Sequence, residues 1–314
     1  MKATHKPPHA RSGAARTLRL RAPAKLNLTL RVLARREDGY HEIQTFMVAV
    51  DLCDDIEITE RPGTPFQVAC DHPEVPNDDR NLVHRAAREF ATLAEGRGGS
   101  ATLEGFQVRI QKRIPPGAGL GGGSSDAAAT LRALNGLFSA GCDLEQLAAC
   151  GARVGSDVPF FLHGPAAIAG GRGEQVTPVP VQWPGRFVVI CPPLDCQTAR
   201  VYANCRPRPP GTRQPVNPFA DGAKPSAAQL AQRLFNDLEE AAFLAYPRLA
   251  EWSRQLQRIC PLPVRLTGSG SAFFCPMDTE KAATQLADLV NQRLGFATYV
   301  TQLLSDMNTE GAAS

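Results

Sequence analysis

Residues 115–125, Pro115-Pro116-Gly117-Ala118-Gly119-Leu120-Gly121-Gly122-Gly123-Ser124-Ser125, set five glycines and two hydroxyls directly before an alanine-rich run, Asp126 to Phe138. Glycine takes positive φ without penalty and lets backbone approach a ligand closely, so successive N–H groups can converge into an anion nest. The following run predicts a helix over Ser125–Phe138, capped by Ser124, Ser125 or Asp126. A helix N-terminus carries about half a positive charge, which favours an anion at that end. The segment therefore reads as a phosphate loop. A glycine-rich surface linker is the competing reading, although linkers seldom run straight into a well-formed helix.

The kind of phosphate loop is narrowed by elimination. Gly117, Gly119 and Gly122 satisfy G-x-G-x-x-G, but a dinucleotide fold needs a fully apolar strand before the loop and an acid ending the next strand. The preceding run Phe106-Gln107-Val108-Arg109-Ile110-Gln111 alternates apolar and polar, which predicts a strand with one exposed face, and Pro115-Pro116 separates it from the glycines. Asp143 precedes Leu144-Glu145-Gln146-Leu147 and reads as a helix cap. A Walker A loop would carry lysine where Gly123 stands. No H-R-D or D-F-G follows, which excludes a protein kinase.

With 314 residues, 43% of them hydrophobic, the chain can bury a substantial core and suggests two domains. Strand and hairpin patterns fill Thr17 to Glu60 around the turn Arg36-Glu37-Asp38-Gly39, where Asp-Gly is a strong hairpin signal. Helical patterns cover Asn81–Ala94 and Leu144–Val154 besides the run after the glycines. A second unit begins near Trp183-Pro184-Gly185 with strand Phe187–Ile190, and the proline-rich stretch Arg206–Pro225 predicts a long loop over the site. Helices Ser226–Leu244 and Pro247–Ile259 follow, then strand Val264–Thr267, the turn Gly268-Ser269-Gly270 and strand Ala272–Phe274. Helix Glu280–Leu294 and strand Ala297–Leu303 close the pattern. The expected architecture is α+β: a basic extension over 1–16, a first domain over 17–182 and a second over 183–314, with the site in the cleft.

Charge and cysteine usage exclude several classes. The net charge is +3, but residues 1–36 hold ten Lys/Arg and no acid, leaving 24 basic against 31 acidic residues downstream. A nucleic-acid-binding protein would spread a basic face over its fold rather than confine it so. No apolar run approaches the ~20 residues that span a membrane. The extension, with Pro7-Pro8, reads as disordered and lacks the apolar segment of a secretory signal; an organellar transit peptide is the second reading. Nine scattered cysteines without C-x-x-C point to reduced thiols in a cytosolic setting rather than to disulfides or zinc, and the six histidines are too dispersed for a metal cluster.

Several polar residues stand out. Leu26, Leu28, Leu30 and Val32 alternate with Asn27, Thr29 and Arg31, the pattern of a half-buried strand whose other face carries Lys25, Asn27 and Thr29. Lys25 can face a site or be a solvated strand-end lysine. Asp157, in Gly155-Ser156-Asp157-Val158-Pro159, can be a reactive carboxylate, a helix cap or an Asx turn. Tyr40 and His41 leave the hairpin turn, where His41 reads by itself as a turn histidine.

Pro23-Ala24-Lys25-Leu26-Asn27-Leu28, Asp38-Gly39-Tyr40-His41, the glycine loop, Gly155-Ser156-Asp157-Val158-Pro159 and Leu266-Thr267-Gly268-Ser269-Gly270 occur in the order and spacing of one family. From about Leu20 to Leu303 the chain resembles the GHMP-type small-molecule kinases. The resemblance implies a nucleotide-binding N-terminal domain and a ferredoxin-like C-terminal one. It implies that residues 115–125 bind ATP, that Mg²⁺ arrives with it, that Asp157 takes the proton of the acceptor hydroxyl and that Lys25 stabilises the charged pair. The elements P-A-K-L-N-L and D-G-Y-H resemble one branch, whose acceptor is CDP-methylerythritol, phosphorylated on its 2-hydroxyl in non-mevalonate isoprenoid synthesis. That branch implies Tyr40 stacking on cytosine, His41 bonding its edge, Tyr202 as a second wall with Thr198 nearby, and Asn27, beside Lys25, as a further substrate-binding residue. Gln197, Ala199 and Arg200 depart from the flanking pattern, which leaves Tyr202 open as a core or hinge residue. Asn81-Leu82-Val83 resembles the segment near the nucleotide base, although Arg80 stands where an acid is common. Asn236-Asp237 and the 268–270 turn resemble elements abutting the loop, or read as an ordinary cap and hairpin turn. Homoserine or mevalonate-type kinases and decarboxylases share the loop and Asp157 but have no need of Asp38-Gly39-Tyr40-His41. A non-catalytic binding protein on this scaffold has no need to keep both Lys25 and Asp157.

Overall fold

Two long strands frame the computed structural model, which describes residues 16–97, 103–207, 216–220, 222 and 224–307. Strands β1 (Thr17–Arg35) and β2 (His41–Glu60) pair antiparallel along their length. Their turn closes as the Asp-Gly pair demands: Gly39 takes φ +85°, and Asp38 accepts from the Tyr40 amide at 3.1 Å. Strands β3 (Gln67–Cys70) and β4 (Phe106–Gln111) extend the sheet beyond β2. Helix α1 (Leu82–Gly96) buries Val83, Ala86, Ala87, Phe90 and Ala94, a 3–4 spacing that puts one apolar stripe inward. Helix α2 (Gly122–Leu137), α3 (Leu144–Val154) and α4 (Val158–His163) share a core with it. Asp143 caps α3 in a capping box with Gln146. Strands β5 (Ala166–Gly170) and β6 (Gln175–Pro178) complete the first sheet against β2.

Strand β7 (Arg186–Cys191) opens a second, four-stranded antiparallel sheet and is followed by α5 (Thr198–Ala203) and α6 (Ala227–Arg233). A short strand β8 (Phe235–Asn236) precedes α7 (Leu238–Ala245) and α8 (Pro247–Ile259). Strands β9 (Arg265–Leu266) and β10 (Phe273–Met277), helix α9 (Glu280–Leu294) and β11 (Ala297–Thr301) complete the sheet in the order β11-β7-β10-β9. The halves are not independent lobes. Ala24, Leu26 and Leu28 of β1 share one core with Phe187 and Val189 of β7 and Phe274 of β10. Each fully buried phenylalanine or leucine there contributes about 1.5–3 kcal/mol. β8 also pairs parallel with β1, at Thr29 and Leu30.

The structure corrects four expectations. The helix expected over Ser226–Leu244 is two helices separated by β8, because Asn236 donates to Leu266 O and Gly268 O, both at 2.8 Å, and its carbonyl accepts from Leu238 N. Strand β1 is buried on both faces over residues 22–32, since its polar face lies under the glycine loop and the second half of the chain. Helix α2 begins three residues before Ser125. Ser124 and Ser125 therefore lie inside its first turn and Asp126 just beyond it, and the cap is Gly121 in the left-handed region at φ +73°, with no side-chain capping bond. Strands β3, β5 and β6 and helices α4 and α5 were not foreseen: Ala166-Ala167-Ile168-Ala169-Gly170 has little intrinsic strand preference and is made a strand by its place beside β2. Of the expected 1–16 extension only Arg16 is described, and much of the proline-rich stretch, 208–215 with 221 and 223, also lies outside the described residues.

Candidate active site

A cavity of about 1080 Å³ opens where the glycine loop, the hairpin turn, α5 and the turn after β9 converge. One wall is backbone. Gly117, Gly119, Gly121, Gly122, Gly123 and Ser124 line it, whereas Pro115, Pro116, Ala118, Leu120 and Ser125 do not. Ala118 and Leu120 instead bury their side chains in the core, so the loop alternates glycine outward and apolar inward. Its carbonyls are tied down: Lys25 N donates to Leu120 O at 2.9 Å and Ala272 N to Ala118 O at 3.0 Å. Gly119, at φ +77°, is needed for close approach, because a Cβ there would lie 2.6 Å from Thr267 O and 2.9 Å from Gly270 O. Helix α2 starts at Gly122, and the first-turn amides of a helix have no intrahelical acceptor, so its N-terminus can receive an anion.

At the centre stand Lys25 and Asp157, with Nζ 3.6 Å from Oδ2. Lys25 is buried and donates to Asn27 Oδ1 at 2.5 Å. Asn27 is oriented in turn, its amide donating to Thr45 Oγ1 at 2.9 Å while Thr45 donates to Thr29 O. A register shift between Asn27 and Thr29 turns the Asn27 amide N–H out of the ladder toward Thr267 Oγ1, 3.0 Å away. Burial pushes the Lys25 ammonium below its ordinary pKa, and the Asp157 charge opposes that shift. Asp157 sits at the N-cap position of α4 yet makes no capping bond, so its carboxylate is available to the cavity.

The outer wall is side chain. His41 and Tyr202 have ring centroids 5.0 Å apart at 33°, while Tyr40, 52% exposed, lies under the Arg172 guanidinium at 4.7 Å. Tyr202 thus packs on His41, and Tyr40 stands apart at the rim against Arg172. Burial and the nearby Arg35 charge hold His41 below its ordinary pKa. Thr198 exchanges a 3.0 Å hydrogen bond with Ser269 of the 268–270 turn. Asn81 is elsewhere: it caps α1, accepting from Val83 N at 2.9 Å and donating to Pro76 O at 2.8 Å, and it is Leu82 that reaches the cavity. Sequence reasoning missed Arg172 and Ser156, which also line it. The one signal for Arg172 was its place between glycines in Gly170-Gly171-Arg172-Gly173-Glu174, a turn that can present a cation. Among the described residues no group of three His, Cys, Asp or Glu side chains could hold a metal ion.

Residues 81–165 match the GHMP kinases N terminal domain. A 4-diphosphocytidyl-2-C-methyl-D-erythritol kinase from Geobacter sulfurreducens is 38% identical over 90% of this chain and 98% of its own length. One from Geobacillus sp. is also 38% identical, over 82% of this chain and 87% of its own. The chain belongs to the 4-diphosphocytidyl-2-C-methyl-D-erythritol kinase family. A crystal structure of a 4-(cytidine 5'-diphospho)-2C-methyl-D-erythritol kinase superposes with a TM-score of 0.71 at 33% identity, covering 94% of this chain and all of that one. A homoserine kinase from Cytophaga hutchinsonii gives the same TM-score at 18% identity over 94% of this chain and 96% of its own, a likeness of fold alone. Membership in this kinase family makes the protein an ATP-dependent small-molecule phosphotransferase with a two-domain α+β kinase fold. No helix among the described residues is long and apolar enough to cross a membrane.

Proposed function

We propose that the cavity transfers the γ-phosphoryl group of ATP to the 2-hydroxyl of 4-diphosphocytidyl-2-C-methyl-D-erythritol. The observation that carries this reading is the Lys25–Asp157 pair, 3.6 Å apart, between a backbone-lined wall and an aromatic one. In this reading residues 17–182 hold the nucleotide and residues 183–314 close over the acceptor. The glycine wall and the α2 N-terminus cradle the triphosphate, with Lys25 supplying a fixed charge beside the transferring group. Phosphoryl transfer asks a protein mainly for positioning and charge stabilisation. Asp157 accepts the proton of the attacking hydroxyl, a contribution of about 10²–10⁴ in rate. Asn27, held by Thr45, keeps the Lys25 ammonium aimed at Asp157.

At the other end Tyr40, His41 and Tyr202 receive the cytosine, Thr198 lies beside them, and Arg172 offers a cation to the diphosphate. Asp157 is the carboxylate among the residues lining the cavity, which suits a Mg²⁺ held chiefly by the triphosphate rather than by a protein cage. When bound, that ion neutralises charge on the β- and γ-phosphates. Asn81 contributes only by shaping α1, behind Leu82. A coupled ADP-release assay tests the reading with CDP-methylerythritol, homoserine, mevalonate and galactose as acceptors. ADP release dependent on CDP-methylerythritol is expected; comparable turnover of another alcohol, with none on CDP-methylerythritol, would contradict it.

A further inference from the structure

A buried charge cluster lies directly behind the glycine loop, facing away from the cavity. Lys112, at the end of β4, has a side chain only 4% exposed and bridges two carboxylates: Asp54 of β2, and Asp126 of α2 at 2.9 Å. Asp54, fully buried, also accepts from the amides of Arg113 at 2.6 Å and Ile114 at 2.9 Å. Ile114 is the last residue before Pro115, and Asp126 lies in the second turn of the helix that ends the loop. Both ends of the loop are thus tied to one side chain. Lys112 Nζ also lies 3.1 Å from where a Cβ on Gly122 would stand, so the ammonium backs the loop at its helical end.

We propose that Lys112 is the positioning residue of the nucleotide loop, clamping its two ends through Asp54 and Asp126 and thereby setting affinity for ATP without touching it. The inference rests on the loop being the nucleotide cradle. Burying three ionisable groups is an expensive way to achieve mere packing, since apolar residues of similar volume are often as stabilising or more so. What the cluster supplies is a fixed separation between the strand end and the helix start, which the backbone amides of the loop need if they are to converge on phosphates.

The cluster is also short of hydrogen bonds in a telling place. Asp126 Oδ1 is buried without a partner. An unpaired buried carboxylate oxygen is costly when charged. Burial pushes the Asp126 carboxyl up to about 8, with Asp54 adding to the rise and Lys112 opposing it. From the end of β3, Cys70 and Asp71 also face the cluster; Asp71 accepts from the Lys112 amide, and burial raises the Cys70 thiol above its ordinary range. Burial thus favours the neutral Asp126 carboxyl, and its ionisation above about pH 8 places a further negative charge behind a loop that must hold a triphosphate.

The test is titration calorimetry of ATP with Mg²⁺, alongside steady-state kinetics, on wild type, Lys112→Met, Asp126→Asn and Gly119→Val. Lys112→Met is expected to weaken ATP about 10- to 100-fold, the scale of a misplaced positioning group, with acceptor KM unchanged and kcat largely kept at saturating ATP. Asp126→Asn keeps an acceptor for Lys112 and is expected to bind ATP within about twofold of wild type at pH 7, while losing the wild-type decline in affinity above pH 8. A folded Lys112→Met with wild-type ATP affinity overturns the inference. So does an Asp126→Asn pH profile identical to wild type, or a Lys112→Met whose kcat, both KM values and Tm all deteriorate together. If Gly119→Val alone loses ATP, only the clamp falls; if Gly119→Val also binds normally, the nucleotide reading of the loop falls with it.

Discussion

Between Gly117 and Ser124 the cavity wall is main chain, pinned by bonds from Lys25 N and Ala272 N, whereas between Tyr40 and Tyr202 it is side chain, with Tyr40 half exposed at the rim. The first region is assembled from amides whose directions are fixed by fold. The second is assembled from rings that can re-orient without moving the backbone. A donor shared by countless kinases needs recognition of phosphate, which amides provide; an acceptor recognised by its base needs edges and faces, which side chains provide. Lys25 and Asp157 stand where the two meet, so substitutions should separate cleanly into chemistry, donor and acceptor effects.

The largest effect falls on the junction. Asp157→Asn and Lys25→Ala should each lower kcat by about 10²-fold or more while ATP still binds by calorimetry, because transition-state roles need not weaken ground-state binding. A variant with wild-type kcat would remove that residue from the chemistry.

Next comes the backbone wall, where added atoms separate glycines that the sequence treats alike. Gly119→Val collides with carbonyl oxygens and forces an unfavourable φ, and should weaken ATP by about 10-fold or more. At Gly123 a Cβ would meet only Leu82 Cδ1, at an ordinary 3.6 Å, so Gly123→Ala should leave ATP affinity near wild type. Equal losses at both positions would mean that glycine content, not local geometry, matters.

At the acceptor end, His41 gives a pH test. Because burial and Arg35 hold its pKa below the ordinary value, the imidazole stays neutral at pH 7 and gains its proton only in more acid solution. Acceptor KM should be flat above neutrality and rise toward pH 5, and His41→Ala should lose that rise along with preference for cytosine over uracil analogues. The smallest effect is expected from Asp143→Ala, remote from both walls, which removes a cap worth ~1 kcal/mol of stability and should leave both KM values alone.

How much could be read in advance follows from how local each feature is. The glycine loop, the Asp-Gly hairpin and the capped α3 are written in adjacent residues and were legible. The break between α6 and α7 was not, because helical residues there yield to Asn236, whose amide is claimed by carbonyls thirty residues away. Lys25 and Asn27 read as one face of a half-buried strand because nothing nearby in sequence announces that Thr267 and Val216 cover it. Asn81 carried a familiar-looking segment, yet its amide is engaged in capping. Arg172 and Lys112 escaped notice for the same reason: a cation in a turn or at a strand end looks solvated until the fold brings Tyr40 to one and two aspartates to the other.

The division into a backbone donor wall and a side-chain acceptor wall is tested most directly by measuring KM for ATP and for CDP-methylerythritol in Tyr40→Ala. Loss of one stacking wall, worth about 1–3 kcal/mol, should raise acceptor KM about 10-fold or more with ATP KM unchanged. An unchanged acceptor KM, or a parallel rise in the KM for ATP, would contradict the account.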